Sequence, residues 1–229
     1  MKQYDCGEKS MLRKVISIAL EICVVICAVA GIALTAVQGM QCFLYFTIQS
    51  NIWIAAILAV FAIAQIVRSK ASNDDIPSAL WIIKFVFTVA ITLTGGVFCA
   101  VLAPTIPGAF NSAANVLTHV VVPICAIADL FVAGQKAPRY NVIVWALVPP
   151  IYYLIFASIG YVCNWDFGNG LNYPYFFLNW SSPVGAFGFG GGGEYFMGTF
   201  WWIIVMILLV SGIAALYIKL LKLQKGSIW

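Results

Sequence analysis

The chain has 229 residues, of which 63% are hydrophobic and 9% charged, with a mean hydropathy of +0.99. An average soluble domain carries about 25% charged residues, so the composition excludes an ordinary soluble domain and predicts a single polytopic membrane domain over 1–229. The net charge of +4 needs no nucleic-acid partner, because membrane proteins gather Lys and Arg on their cytoplasmic side.

A helical span takes about 20 mostly apolar residues, and in lipid every backbone polar group must be satisfied internally. Six windows meet this requirement, at about 12–37, 43–67, 79–103, 113–132, 142–163 and 195–221. The expected fold is all-α, with six transmembrane helices. The first window follows Arg13 and Lys14 and reaches Ala28-Val29-Ala30, a signal-peptide-like pattern. Glu21 interrupts its apolar run, so it reads as a span that is kept. Lys2, Lys9, Arg13 and Lys14 lie at the amino-terminal side, Arg68 and Lys70 in the second connection, Lys136 and Arg139 in the fourth, and Lys219, Lys222 and Lys225 at the tail. The first, third and fifth connections hold no Lys or Arg. This pattern predicts cytoplasmic termini and a multi-pass protein of the cell membrane.

The third window has Thr88, Thr92, Gly95, Gly96 and Cys99, small residues that favour close helix packing. Pro149-Pro150 falls inside the fifth and removes two helical hydrogen bonds. The connection 164–194 is long and rich in Gly and aromatics. It reads either as a loop resting on the bundle, a lid, or as a floppy surface loop. Seven cysteines are present, none with metal-ligand spacing to the one histidine. Cys42 and Cys163 fall near the outer ends of spans, where a disulfide is one option.

His119 is that histidine, and it lies inside the fourth span. An ionisable group there is costly unless it faces the protein interior. At 100° per residue, Asn115, Thr118, His119 and Asp129 share about 100° of arc, and so do Thr47, Ser50, Asn51 and Gln65 in the second span. Both helices run inward from outside. Thr47 comes about 6 Å and His119 about 9 Å below the outer end at 1.5 Å per residue, so the two side chains share a level. A hydroxyl beside an imidazole is the smallest arrangement for nucleophilic catalysis, the imidazole taking the proton as attack occurs. Asn51, Asn115 and Ser50 lie on the same faces, candidates for contacting substrate or an oxyanion. Asp129 is about 15 Å deeper than His119, too far to orient it. Asp166 or Glu194 of the outer loop are the carboxylates left for that role. Lys84 and Asp129 sit near the inner ends of their spans and suit a structural ion pair; Glu21 has no evident partner beyond polar groups of the second span. The blander reading is that Thr47 bonds back to the Phe43 carbonyl and His119 bonds across the bundle.

At these residues the sequence resembles a family of six-span membrane proteins, the androgen-induced and androgen-dependent integral membrane hydrolases and their prokaryotic relatives. The resemblance rests on Tyr45-Phe46-Thr47-Ile48-Gln49-Ser50-Asn51, on Leu117-Thr118-His119 with Pro123 and Asp129, and on Tyr173-Pro174-Tyr175-Phe176-Phe177-Leu178-Asn179. It implies a threonine nucleophile at Thr47, a histidine base at His119, and fatty acid esters of hydroxy fatty acids as substrates. Prokaryotic relatives carry an acid where this chain has Asn179, so the resemblance supplies no triad carboxylate from this loop. The expectation is a membrane ester hydrolase acting on a lipid or fatty acyl ester, with no metal and no organic cofactor. The alternative is a small transporter or lipid-binding protein with a polar-lined cavity, for which Glu21, Lys84 and Asp129 would matter as much as His119. A further alternative is an assembly partner that uses the outer loop as an interface. The sequence sets no oligomeric state.

Overall fold

The computed structural model describes residues 2–67, 76–133 and 137–226, with side chains over 11–67, 76–133 and 137–224. Arg68, Lys70 and Lys136, and the side chains of Lys2, Lys9 and Lys225, lie outside the described residues. Six helices are long and apolar enough to cross a membrane. They are α1 (Lys2–Ala36), α2 (Phe46–Val67), α3 (Ser78–Thr105), α4 (Ala113–Val132), α5 (Tyr140–Val162) and α6 (Thr199–Gly226). One isolated bridge, Phe189 to Met197, is the extent of β pairing among the described residues.

Two helix starts that fall later than expected do so for a local reason. α2 starts at Phe46 rather than near 43, because a 3-10 turn at Met40–Leu44 carries the chain round from α1. α6 starts at Thr199 rather than 195. The residues before it pair with the glycine-rich loop instead, Gly190 N–H donating to the Phe196 carbonyl and Gly198 N–H to the Gly188 carbonyl. α5 breaks at Leu147, between Ile143–Ala146 and Val148–Val162. Pro149 and Pro150 follow that break and supply no N–H to bridge it.

α3 is the central post. It packs on α2 and α4 on one side and on α5 and α6 on the other, while α1 closes against α2 and α4. This gives two apolar cores, one around Ile54, Leu58, Phe61 and Val122, the other around Phe85, Val89, Tyr153 and Ile218. Glycines set the spacing at the seam. A Cβ on Gly95 would stand 2.7 Å from the His119 carbonyl oxygen, and one on Gly31 2.6 Å from Thr118 Cγ2. Gly96, its neighbour in the same small-residue stripe, faces open space.

The 164–194 connection is folded onto the bundle. Phe167, Phe177, Leu178 and Asn179 are buried. Tyr45 donates to the Phe167 carbonyl at 2.7 Å, Thr199 to the Asn179 carbonyl at 2.9 Å, and Trp201 Nε1 to the Phe187 carbonyl at 2.9 Å. Cys42 and Cys163 are both free thiols, one buried and one exposed.

Candidate functional site

The N-terminal turn of α2 and the first turns of α4 bring Thr47 and His119 together. Thr47 Oγ1 lies 3.2 Å from His119 Nε2. The back-bond to Phe43 is not made: that carbonyl accepts from Gln49 Nε2 at 3.1 Å. His119 Nδ1 stands 3.1 Å from the Asn115 carbonyl and 3.0 Å from Thr118 Oγ1. A carbonyl brings no hydrogen, so the ring proton belongs on Nδ1. Thr118 spends its own hydrogen on the Ala114 carbonyl at 2.8 Å, leaving a lone pair toward the same N–H. Nε2 is therefore bare and accepts from the Thr47 hydroxyl.

Local helix geometry holds this arrangement. α4 passes through a π-helical segment at Leu117–Val121, and α3 through another at Phe98–Leu102. Such wide turns interrupt helices frequently at functional sites. Here the two meet: the Phe98 ring stacks on the imidazole with centroids 3.8 Å apart and planes 19° off parallel. Ser112 caps α4 by accepting the Asn115 N–H. No loop carboxylate is needed to orient the ring. Asp166 spends Oδ1 on the N–H groups of Gly168 and Gly170 at 2.7 and 3.2 Å.

The three polar residues expected to meet substrate serve the scaffold instead. Asn51 Nδ2 donates to the Thr47 carbonyl at 2.8 Å and the Thr118 carbonyl at 3.2 Å, which uses both its hydrogens and ties α2 to α4. Asn115 Nδ2 donates to the Ala109 carbonyl at 2.9 Å. Ser50 sits between the Thr47 carbonyl at 3.0 Å and Thr94 Oγ1 at 2.8 Å, tying α2 to α3.

Another donor lies beside Thr47. The opening N–H groups of a helix have no intrahelical partner, and Phe46 and Thr47 open α2. Tyr175, returned by the 164–194 connection, lines the same cavity as Thr47 and packs edge-on to Tyr45 with centroids 5.6 Å apart. Burial pushes the Tyr175 phenol up to about 12, against the hydrogen bonds it receives from Thr47 and Phe46. It is neutral at physiological pH and keeps its hydrogen to donate. The Tyr-Pro-Tyr motif was the visible signal for this residue, but nothing in linear spacing places a loop tyrosine at the start of α2.

Thr47 also opens on an apolar cavity of about 100 Å³ between α3, α5, α6 and the loop. Leu93, Val97, Leu154, Trp202 and Ile203 are among its walls.

Lys84 and Asp129 pair as expected, with Nζ 2.6 Å from Oδ2. The pair belongs to a larger buried cluster. Lys84 Nζ also contacts Glu21 Oε1 at 2.8 Å, Gln65 donates to both Glu21 oxygens at 3.0 and 3.1 Å, and Ser17 donates to Asp129 Oδ1 at 2.5 Å. The Lys84 ammonium lies 4.4 Å from the Phe61 ring centroid. Glu21 thus has two partners, Gln65 and Lys84, and the cluster joins α1, α2, α3 and α4.

Comparison with protein-family models, with curated proteins and with solved structures finds no match.

Proposed function

We propose that this chain is a membrane-embedded hydrolase of acyl esters with Thr47 as nucleophile and His119 as base. The observation that carries the reading is the 3.2 Å contact from Thr47 Oγ1 to a His119 ring whose Nδ1 is anchored on the Asn115 carbonyl, on the wall of an apolar cavity. The charge pattern of the connections supports an orientation with the loop face outside, in which the site opens toward the outer half of the bilayer.

In the acylation step Thr47 gives its proton to His119 Nε2 as Oγ1 attacks the ester carbonyl. The tetrahedral oxyanion takes a hydrogen bond from the Tyr175 phenol, whose oxygen is held by the N–H groups of Phe46 and Thr47 at the start of α2. Collapse breaks the ester C–O bond, and His119 returns the proton to the departing alkoxide, releasing the alcohol. Water then gives a proton to His119 and attacks the acyl-threonine. The carboxylic acid leaves and Thr47 recovers its hydrogen. The resemblance to the androgen-induced hydrolases agrees with this reading and suggests fatty acid esters of hydroxy fatty acids as one substrate group.

A fluorophosphonate probe on the full-length protein tests it. The expected adduct maps to Thr47 and disappears in His119→Ala. Equal labelling of wild type, Thr47→Ala and His119→Ala, all folded, rejects the hydrolase. It would favour the transporter or lipid-binding alternative.

A further inference from the structure

We propose that the cleft between the loop-side halves of α5 and α6 is a side door, through which the acyl chain of a bilayer-dissolved ester reaches Thr47. The inference rests on Thr47 being the nucleophile, and it names the substrate class of that site.

The door follows from the break in α5. α6 packs closely on Ile143–Ala146 but has no comparable packing on Val148–Val162, beyond the two prolines. The helices diverge there, and the cavity occupies the gap. Ile151 and Ile207 line it and remain 42% and 37% exposed, on the lipid-facing side of their helices. The route from water is capped. The loop lays Phe177 and Leu178 over the cavity, both buried, with Phe177 stacked on Tyr175 at 4.9 Å and tilted on Trp202 at 5.9 Å.

The chemistry of the walls selects the occupant. The cavity's hydroxyls are those of Thr47, Thr94, Tyr153 and Tyr175, and no Asp, Glu, Lys or Arg lines it. Burying an ionised group there without a partner is costly, so a charged head does not pass through, while hydrocarbon fits. About 100 Å³ is below the roughly 150 Å³ of a cavity that takes one benzene, and so far less than a long acyl chain fills. The chain end therefore stays in the lipid, and the groove does not measure chain length. The ester carbonyl lies at Thr47 with the acyl chain running out between Leu154 and Ile203.

The test uses wild-type full-length protein in phospholipid nanodiscs. A palmitoyl amide with a diazirine near its carbonyl, on the part of the chain that crosses the cleft, serves as a non-hydrolysable analogue. Photolabelling should map to Leu154, Ile203, Met206 or Ile207 and be competed by excess unlabelled palmitoyl ester. Label on α1, α2, α4 or the loop overturns the door. So does cleft label that the ester does not compete, the mark of a standing lipid. In parallel, Leu154→Trp should lower kcat/KM for a palmitoyl ester about tenfold, while Ile159→Trp, on a position 49% exposed and outside the cavity, leaves it unchanged. Equal rates in both variants, both folded, also overturn the door. Failure of the underlying reading looks different: Thr47→Ala would then hydrolyse the ester at the wild-type rate.

Discussion

Thr47 and His119 meet because each is held by a bond its partner does not see. Asn51 fixes the α2 carbonyl of Thr47 against α4, and the Asn115 carbonyl fixes the His119 ring. Replacing Thr47 by Ala should therefore abolish ester turnover while Thr47→Ser keeps part of it, because serine retains the oxygen that faces Nε2. Rates on a chromogenic acyl ester measure this, and equal losses in both variants would argue against a hydroxyl nucleophile. Tyr175→Phe removes one proposed oxyanion donor and should cost about 10²–10³ in kcat, with KM little changed. The pH dependence has a definite sign. Burial carries the phenol up to about 12, above the ordinary tyrosine value of about 10, so the donor hydrogen persists as pH rises. The ratio of wild-type to Tyr175→Phe rates should stay flat from about pH 6 to about pH 10. A ratio that collapses as pH nears 10 would mark an ordinary, solvated phenol.

At the scale of the helix, the site depends on how closely α3 approaches α4. Gly95 permits that approach, since a Cβ there would meet the His119 carbonyl at 2.7 Å and the Pro123 ring at 3.0 Å. Gly95→Ala should push the π-helical turns apart, separating Phe98 from the imidazole. We expect a loss of roughly 10²-fold in kcat, the scale of a misplacement of about 1 Å. Gly96→Ala is the matched control, because nothing lies within 4 Å of its Cβ position; it should leave the rate unchanged. Similar activity in both would mean that the interhelical distance does not govern the chemistry. Helix existence was legible from apolar windows, since lipid leaves the backbone few other ways to satisfy itself. The π-helical turns were not, because Leu117–Val121, which packs on α1 and α3, has an ordinary apolar composition.

Across the whole molecule, the charged cluster and the catalytic candidates occupy different ends of the bundle. Glu21, Lys84 and Asp129 have side chains with no exposed surface, and they tie four helices together. Lys84→Ala leaves buried carboxylates without their cation and should destabilise the fold by about 3–5 kcal/mol, read as a fall in thermal unfolding midpoint in detergent. Fluorophosphonate labelling per folded molecule should persist. A stable Lys84→Ala protein would place the cluster outside the folding core. The sequence by itself determined the number of spans and the level of Thr47 and His119, because hydropathy and the rise per residue act along one chain. It also determined the Lys84–Asp129 pairing, since buried charges near one depth need each other. Tertiary structure alone decided that Asn51, Asn115 and Ser50 brace the site rather than face substrate, that Glu21 joins Lys84, and that Tyr175 returns from the loop. Those outcomes depend on which helices are neighbours and how far apart they stand, and one chain's periodicity carries no distance between helices.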